Sequence, residues 1–362
     1  MEGPFRLLGG QDGGHEQVVF GNDSDSGLRC IIAIYSTALG PALGGTRFYP
    51  YANEHEALVD VLRLSKGMAY KAACAGLDLG GGKAVILGNP ATDKSEALLR
   101  AYGRVVESLG GRYVTACDVG TYPADLALVG RETRWATGTD VVEGGSGDSS
   151  VLTAFGTYLG IKASMRHLDG SDDLRGRHVA VQGVGKVGYK LAEHLFADGA
   201  RLTVSDVNDA ATARCAERFG AEVVGNDKVH AVDADVFSPN ALGGVLNDTT
   251  IPELQCRIVA GAANNQLLEY RHGEDLRAAG ILYAPDYVIN AGGLIQVGDE
   301  LHPDGHSPQR ARARAEQIGQ RLLEVFAMAD AHGVSTETAA ELVAERRIAS
   351  VGRLRGFWLP GR

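Results

Sequence analysis

The segment from His178 to Asp206 constrains the fold more than any other. His178-Val-Ala-Val-Gln182 is an apolar run of strand length, followed at once by Gly183-Val184-Gly185-Lys186-Val187-Gly188 and by a helical pattern from Tyr189 to Ala197. A second strand candidate, Arg201 to Ser205, ends at Asp206, 18 residues beyond Gly188. In such a unit the first glycine permits a tight turn, the second lets a pyrophosphate approach the backbone, and the third lets the helix pack closely on the strand. The helix start offers unpaired N–H groups to phosphate, and the acid at the second strand end accepts hydrogen bonds from a ribose diol. Val207 and Asn208 supply no arginine for a 2′-phosphate, so the pattern selects NAD over NADP. Glycines serving turn geometry alone would account for one of these features, not for strand, spacing and acid together.

A chain of 362 residues has room for two domains. Leu174 to Asp299 alternates short apolar runs with helical stretches, the pattern of a doubly wound parallel sheet. Upstream, Glu16 to Phe20 and Cys30 to Tyr35 flank a turn-rich Gly21 to Gly27 and predict a hairpin. Glu54 to Leu64 and Ser95 to Leu109 carry apolar residues at helical spacing, and Ala84 to Leu87 between them is a short buried strand candidate entered from Gly80 to Gly82. Glu143 to Asp148 is rich in small residues and marks the linker. The expected fold class is therefore α/β with two domains, an N-terminal α/β catalytic domain and a Rossmann-type NAD-binding domain separated by a cleft. Residues 1–147 form the first, completed by C-terminal helices within 331–362, and residues 148–330 form the second.

Composition narrows the function. The 49 glycines are about twice the ordinary share, yet they follow no collagen-like period, so they belong inside folded domains. A net charge of −10 gives no footprint for nucleic acid. The first fourteen residues lack a signal-peptide pattern and no apolar stretch is long enough to span a membrane, which predicts a cytoplasmic protein without a membrane partner. Five scattered cysteines and ten histidines show neither disulfide nor metal spacing, so no metal is expected. Gly144 to Asp148 lacks the last glycine of a hydrolase elbow.

Lys66-Gly-Met-Ala-Tyr-Lys71 and Gly80-Gly-Gly-Lys83 place lysines in the most glycine-dense part of the first domain. They do not form a P-loop, because Leu77 stands where its first glycine belongs and Ala84 where its hydroxyl belongs. Two readings remain. Either they are solvated surface lysines, or one grips a carboxylate while burial and a like-charged neighbour drive the other from about 10.4 toward the ~7–8 of a general base. Asp118 ends the strand-like run from Arg112, where α/β folds place functional side chains, although a local turn with Gly120 is an equal alternative. Cys117 has no histidine nearby in sequence to activate it as a nucleophile.

Taken in order, Leu39-Gly-Pro-Ala-Leu-Gly-Gly-Thr-Arg47, Lys66 to Lys71, Gly80 to Lys83, Thr115-Ala-Cys-Asp-Val-Gly120, the glycine fingerprint, Ala260-Gly-Ala-Ala-Asn-Asn265 and Asn290-Ala-Gly-Gly293 resemble the glutamate/leucine/phenylalanine/valine dehydrogenases, from about Gly13 to Arg347. The resemblance implies reversible oxidative deamination of an amino acid to a 2-oxo acid, ammonium and NADH. It implies that Lys71 holds the substrate carboxylate, Lys83 activates water and Asp118 relays protons to and from the amine. Gly44 and Gly45 would let the backbone approach substrate, and Thr153, Asn264, Asn265 and Asn290 would contact substrate or nicotinamide. The side-chain pocket would be lined by Leu43, Ala116, Leu294 and Val297, all apolar, so a γ-carboxylate would be buried without a partner and glutamate is disfavoured. Valine, leucine and isoleucine come first, with phenylalanine as the alternative substrate and a non-catalytic NAD sensor as the alternative role. Ser238, Asn240 and Gly298 depart from the family pattern. A homo-oligomer, dimer or larger, is implied, and the tail Arg353 to Pro360 could alter assembly.

Overall fold

The computed structural model describes residues 14–355, so the start of the chain and most of the Arg353 to Pro360 tail lie outside it. The chain divides into two compact units. Unit 1 holds residues 1–147, 297–308 and 344–362, and unit 2 holds 148–296 and 309–343.

In unit 1, β1 (Gln17–Asp23), β2 (Leu28–Ser36), β3 (Ala42–Tyr49), α1 (Glu54–Cys74), β4 (Gly80–Leu87), α2 (Glu96–Ser108), β5 (Tyr113–Cys117) and α3 (Pro123–Val129) build a mixed sheet of order β1-β2-β4-β3-β5. The expected hairpin is β1/β2, and β3 runs parallel to both β4 and β5. Period-two alternation separates the faces. Ile32, Ile34, Phe48, Ala84, Ile86 and Tyr113 pack under α2 and α3, while Ile31, Ala33 and Val85 pack against Ala57, Val61 and Leu62 of α1.

Three elements differ from the pattern read in the residues. Helix α1 continues ten residues past Leu64, because Ala69, Ala72 and Ala73 are good helix formers that bury on the sheet and Gly67 faces open space. Lys66 and Lys71 therefore ride on a helix. Strand β4 begins at Gly80, so the glycines lie inside a strand: a Cβ on Gly81 would sit 2.1 Å from the Ala69 nitrogen, and one on Gly82 2.7 Å from the Tyr113 ring. Strand β3 is hidden in the glycine-rich motif for the same reason, since a Cβ on Gly44 would sit 1.7 Å from the Gly82 carbonyl oxygen.

Unit 2 contains α4 (Ser150–Asp169), β6 (His178–Gln182), α5 (Lys186–Ala197), β7 (Arg201–Ser205), α6 (Asp209–Phe219), β8 (Glu222–Val223), β9 (Val236–Pro239), β10 (Ile258–Val259), α7 (His272–Ala278), β11 (Leu282–Tyr283) and α8 (Asp286–Ile289). Its six strands are all parallel in the order β11-β10-β9-β6-β7-β8. The winding reverses between β6 and β9, and the carboxyl ends of strands at such a point are where ligands bind in open α/β sheets.

Helices α9 (Gly292–Asp299), α10 (Pro308–Ala315), α11 (Ile318–His332) and α12 (Thr336–Arg355) complete the chain. The division among them corrects the expected C-terminal boundary: residues 331–343 belong to unit 2 and residues 297–308 to unit 1. The cause is local bonding. Near the start of α12, Thr336 donates to the Tyr283 carbonyl at 2.7 Å and Tyr270 donates to Glu341 at 3.0 Å. Farther along, Glu345 accepts from Tyr70 at 2.8 Å and Arg347 pairs with Asp78 at 3.0 Å. Among the described residues no helix is long and apolar enough to cross a membrane.

Candidate active site

One sheet face of unit 1 gathers most of the chemistry. Strand register pairs Leu43 with Gly81 and Val114, Gly45 with Ala116, and Arg47 with Val85, so Leu43, Gly45, Arg47, Lys83, Ala116 and Asp118 alternate onto the face that α1 covers. Lys83 is buried, with its Nζ 3.0 Å from Asp118 Oδ2. Arg47 Nε reaches that same oxygen at 3.1 Å. Burial pushes the Asp118 carboxyl up, but Lys83 and Arg47 together outweigh it and hold the group below the ordinary carboxylate range. Asp118 is thus an anion clamped between two cations.

Gly45 makes the room for this. A Cβ there would lie 2.9 Å from the Asp118 Cβ and 2.4 Å from the Cys117 carbonyl oxygen. The turn with Gly120 also exists, since Asp118 N–H donates to Thr121 Oγ1 at 2.9 Å and Gly120 has φ +78°. The turn and the ion pairs use different parts of Asp118, its backbone making the first and its carboxylate the second. Burial raises the Cys117 thiol to about 12, which removes it as a nucleophile at neutral pH. Lys71 lies half-buried on α1, two residues beyond the Ala69 backbone that packs on Gly81. Arg47 and its partner Asp60, 2.8 Å from Nη1, were absent from the residues singled out by sequence.

In unit 2 the three fingerprint glycines differ in what surrounds them. Gly183 has φ +84°, and a Cβ on it would meet Ala241 at 2.9 Å. A Cβ on Gly188 would stand 1.9 Å from the Gly183 carbonyl oxygen, so this glycine seats α5 on the loop. Gly185 has nothing within 4 Å. The protein's own packing does not require a glycine there, and the vacant side lies at the start of α5, where Lys186, Val187 and Gly188 open the helix. Asp206 accepts from Val184 N–H at 2.8 Å and from Asn208 N–H at 2.9 Å, which fixes the carboxylate at the end of β7 and leaves lone pairs for a diol. Val207 beside it is exposed.

The remaining unit 2 residues sort into two groups. Asn264 and Asn265 are exposed, and Asn265, at φ 52°, is the one non-glycine with positive φ among the described residues. Asn290 instead points inward, donating to Asn264 Oδ1 at 2.8 Å and the Ala262 carbonyl at 3.1 Å, so it braces the loop that presents the other two. Thr153 Oγ1 back-bonds to the Ser149 carbonyl and lies 3.1 Å from where a Gly293 Cβ would be. Asn240 joins β9 to the next loop by accepting from Ala262 N–H at 2.9 Å and donating to the Ser238 carbonyl at 2.8 Å, and its donation to Ser238 Oγ at 3.1 Å gives the Ser238 and Asn240 departures a bonding partner in each other. Leu294, buried in unit 2, and Val297, half-buried in unit 1, lie three residues apart on α9.

A doubly wound sheet bearing this glycine loop, with a lysine–aspartate pair on a second α/β unit, defines the class of two-domain dehydrogenases. Comparison with known proteins makes the class specific. Residues 15–135 match the Glu/Leu/Phe/Val dehydrogenase dimerisation domain, and residues 144–214 and 205–356 match the glutamate/leucine/phenylalanine/valine dehydrogenase domain. A valine dehydrogenase of Streptomyces albus is 54% identical, with 95% of this chain and 94% of that protein covered. A leucine dehydrogenase of Geobacillus stearothermophilus is 50% identical over the same shares. The crystal structure of an L-tryptophan dehydrogenase from Nostoc punctiforme superposes with a TM-score of 0.86 at 46% identity, covering 94% of this chain and 97% of that one. The chain belongs to the glutamate/leucine/phenylalanine/valine dehydrogenase family and is an amino acid dehydrogenase.

Proposed function

We propose that this chain catalyses the reversible, NAD-dependent oxidative deamination of branched-chain L-amino acids, converting valine, leucine or isoleucine with water to the 2-oxo acid, ammonium, NADH and a proton. The observation that carries the reading is the Lys83–Asp118 pair on a sheet face shared with apolar Leu43 and Ala116. Relatives named valine and leucine dehydrogenases at 54% and 50% identity support the substrate class. Neither residue offers a cation to a substrate carboxylate at its far end, and burying one unpaired costs several kcal/mol or more.

The open side of Gly185, the start of α5 and Asp206 fit a dinucleotide, and these residues would hold NAD. When bound, it supplies the hydride acceptor. The chain's own residues handle the protons. Lys71 grips the α-carboxylate, Lys83 takes a proton from the attacking water, and Asp118, 3.0 Å from Lys83 Nζ, exchanges protons with the amine. The amine must be uncharged before Cα can release hydride, so the catalytic task is proton removal with orientation. By the family resemblance Thr153, Asn264 and Asn265 would contact substrate or nicotinamide and Leu294 and Val297 would line the side-chain pocket, with residues 1–147 the catalytic part and 148–296 with 309–343 the NAD-binding part.

We further place the protein in the cytoplasm, which cell fractionation tests, as a homo-oligomer, which light scattering on the purified chain tests. The function itself is tested by NADH absorbance with valine, leucine, isoleucine, phenylalanine and glutamate as substrates. Turnover with glutamate alone would overturn the pocket assignment, and a rate highest with phenylalanine would shift it to the aromatic alternative.

A further inference from the structure

We propose that Arg47 is a positioning residue for this reaction, a two-ended brace that fixes Asp118 by one carboxylate oxygen and keeps the other turned to substrate. The proposal rests on Asp118 as the group that exchanges protons with the amine, and adds what holds it in place. Lys83 Nζ and Arg47 Nε both meet Oδ2, at 3.0 and 3.1 Å. Oδ1 takes part in neither pair. The other edge of the guanidinium is anchored, with Nη1 2.8 Å from Asp60 Oδ2. Asp60 is itself held by the Tyr51 hydroxyl at 2.6 Å and by Arg63 at 3.3 Å. Both carboxylates and the guanidinium are largely buried, with side-chain exposures of 15%, 21% and 22% for Asp60, Arg47 and Asp118.

The two cations are not equivalent. A lysine that takes and gives protons during turnover cannot guarantee a positive charge beside Asp118 at every stage. Arginine stays protonated throughout, and its rigid fork can serve two carboxylates on different edges at once. Arg47 therefore holds Asp118 in one rotamer and favours its anionic form between proton transfers, whatever the state of Lys83. The ionisable groups around the carboxylate agree. Lys83 approaches from β4 and Arg47 from β3, with Asp60 and Arg63 of α1 and Tyr51 acting through Arg47. On β5, Cys117 and Tyr113 are each pushed to about 12, chiefly by burial, and stay neutral.

The test compares Arg47→Met, Arg47→Lys and Asp60→Asn with the unsubstituted chain, measuring deamination rates against pH, melting temperature and NADH binding. Arg47→Met should lower kcat at least tenfold with KM for NAD within twofold and NADH binding intact. Loss of a permanent cation favours protonated forms of the cluster, so the acid limb of kcat/KM should move to higher pH by about one unit. Arg47→Lys restores the charge but not the second anchor, so it should return the limb toward its original position while kcat stays low. Asp60→Asn, which leaves the Arg47 contact to Asp118 in place, should lower kcat severalfold. An unmoved acid limb in Arg47→Met, or kcat within twofold of the unsubstituted chain, overturns the brace. Should Arg47→Met not fold, unchanged kcat in Asp60→Asn overturns it equally. An unsubstituted chain inactive on every amino acid tested would overturn the function beneath it, and the brace with it.

Discussion

Alanine at Gly185 and at Gly188 should have opposite consequences although the two glycines stand three residues apart. At Gly188 the added Cβ would be 1.9 Å from the Gly183 carbonyl oxygen, more than 1 Å inside any tolerated contact, and the obstacle is backbone. Either α5 or the loop must move. Overpacking of this kind costs about 1–3 kcal/mol, which in a domain of this size lowers the melting temperature by roughly 2–4 °C per kcal/mol. At Gly185 the Cβ meets nothing within 4 Å and φ is −69°, so the free protein should lose only what alanine costs as the N-cap of α5, about 1 kcal/mol or less. The same methyl occupies the space assigned to a pyrophosphate, and NADH affinity should fall at least tenfold, about 1.4 kcal/mol. Thermal melting without ligand and fluorescence titration with NADH separate the two effects. Gly185→Ala binding NADH as tightly as the unsubstituted chain would refute the placement of the dinucleotide.

Two further substitutions probe the sheet face of unit 1. Gly45→Ala would drive its methyl to within 2.9 Å of the Asp118 Cβ and 2.4 Å of the Cys117 carbonyl, displacing the carboxylate from Lys83. Misplacement by about 1 Å costs on the order of a hundredfold in rate, so kcat should fall that far while NADH still binds; kcat within twofold would contradict the role given to Gly45. Lys83→Ala should abolish turnover and leave NADH binding unchanged, and near-normal turnover would remove Lys83 as the base.

The dinucleotide unit was the most legible part of the chain. Its strand, glycines, helix and Asp206 are contiguous, and each glycine role declares itself within about thirty residues. The hairpin β1/β2 was readable for the same reason, being local. Strand β3 was not, because Gly44 and Gly45 remove the side chains whose alternation announces a strand, and the need for them comes from Gly82 and Cys117 on neighbouring strands. In helix α1 the leucines and valines stop at Leu64 and Gly67 interrupts the pattern that alanines then continue to Cys74, so its second half carries little local signal. Arg47, a single cation at the end of a motif, carries no local signal of its role. With β3 known, its place two residues beyond Gly45 puts it on the same face as Lys83 and Asp118, and that period was the signal that could have found it. The C-terminal boundary depended on which strands and helices α12 bonds to along its length, which no local pattern encodes.

The central claim is that this fold deaminates branched-chain amino acids with NAD. The most direct measurement is the initial rate of NADH formation by the purified chain with valine, leucine, isoleucine, phenylalanine and glutamate, each at saturating NAD. Rates for the three branched-chain substrates within about tenfold of one another, ahead of phenylalanine and far above glutamate, are the expected result, since one methylene in an apolar pocket is worth only about 1–3 kcal/mol. No NADH from any of the five would contradict the account.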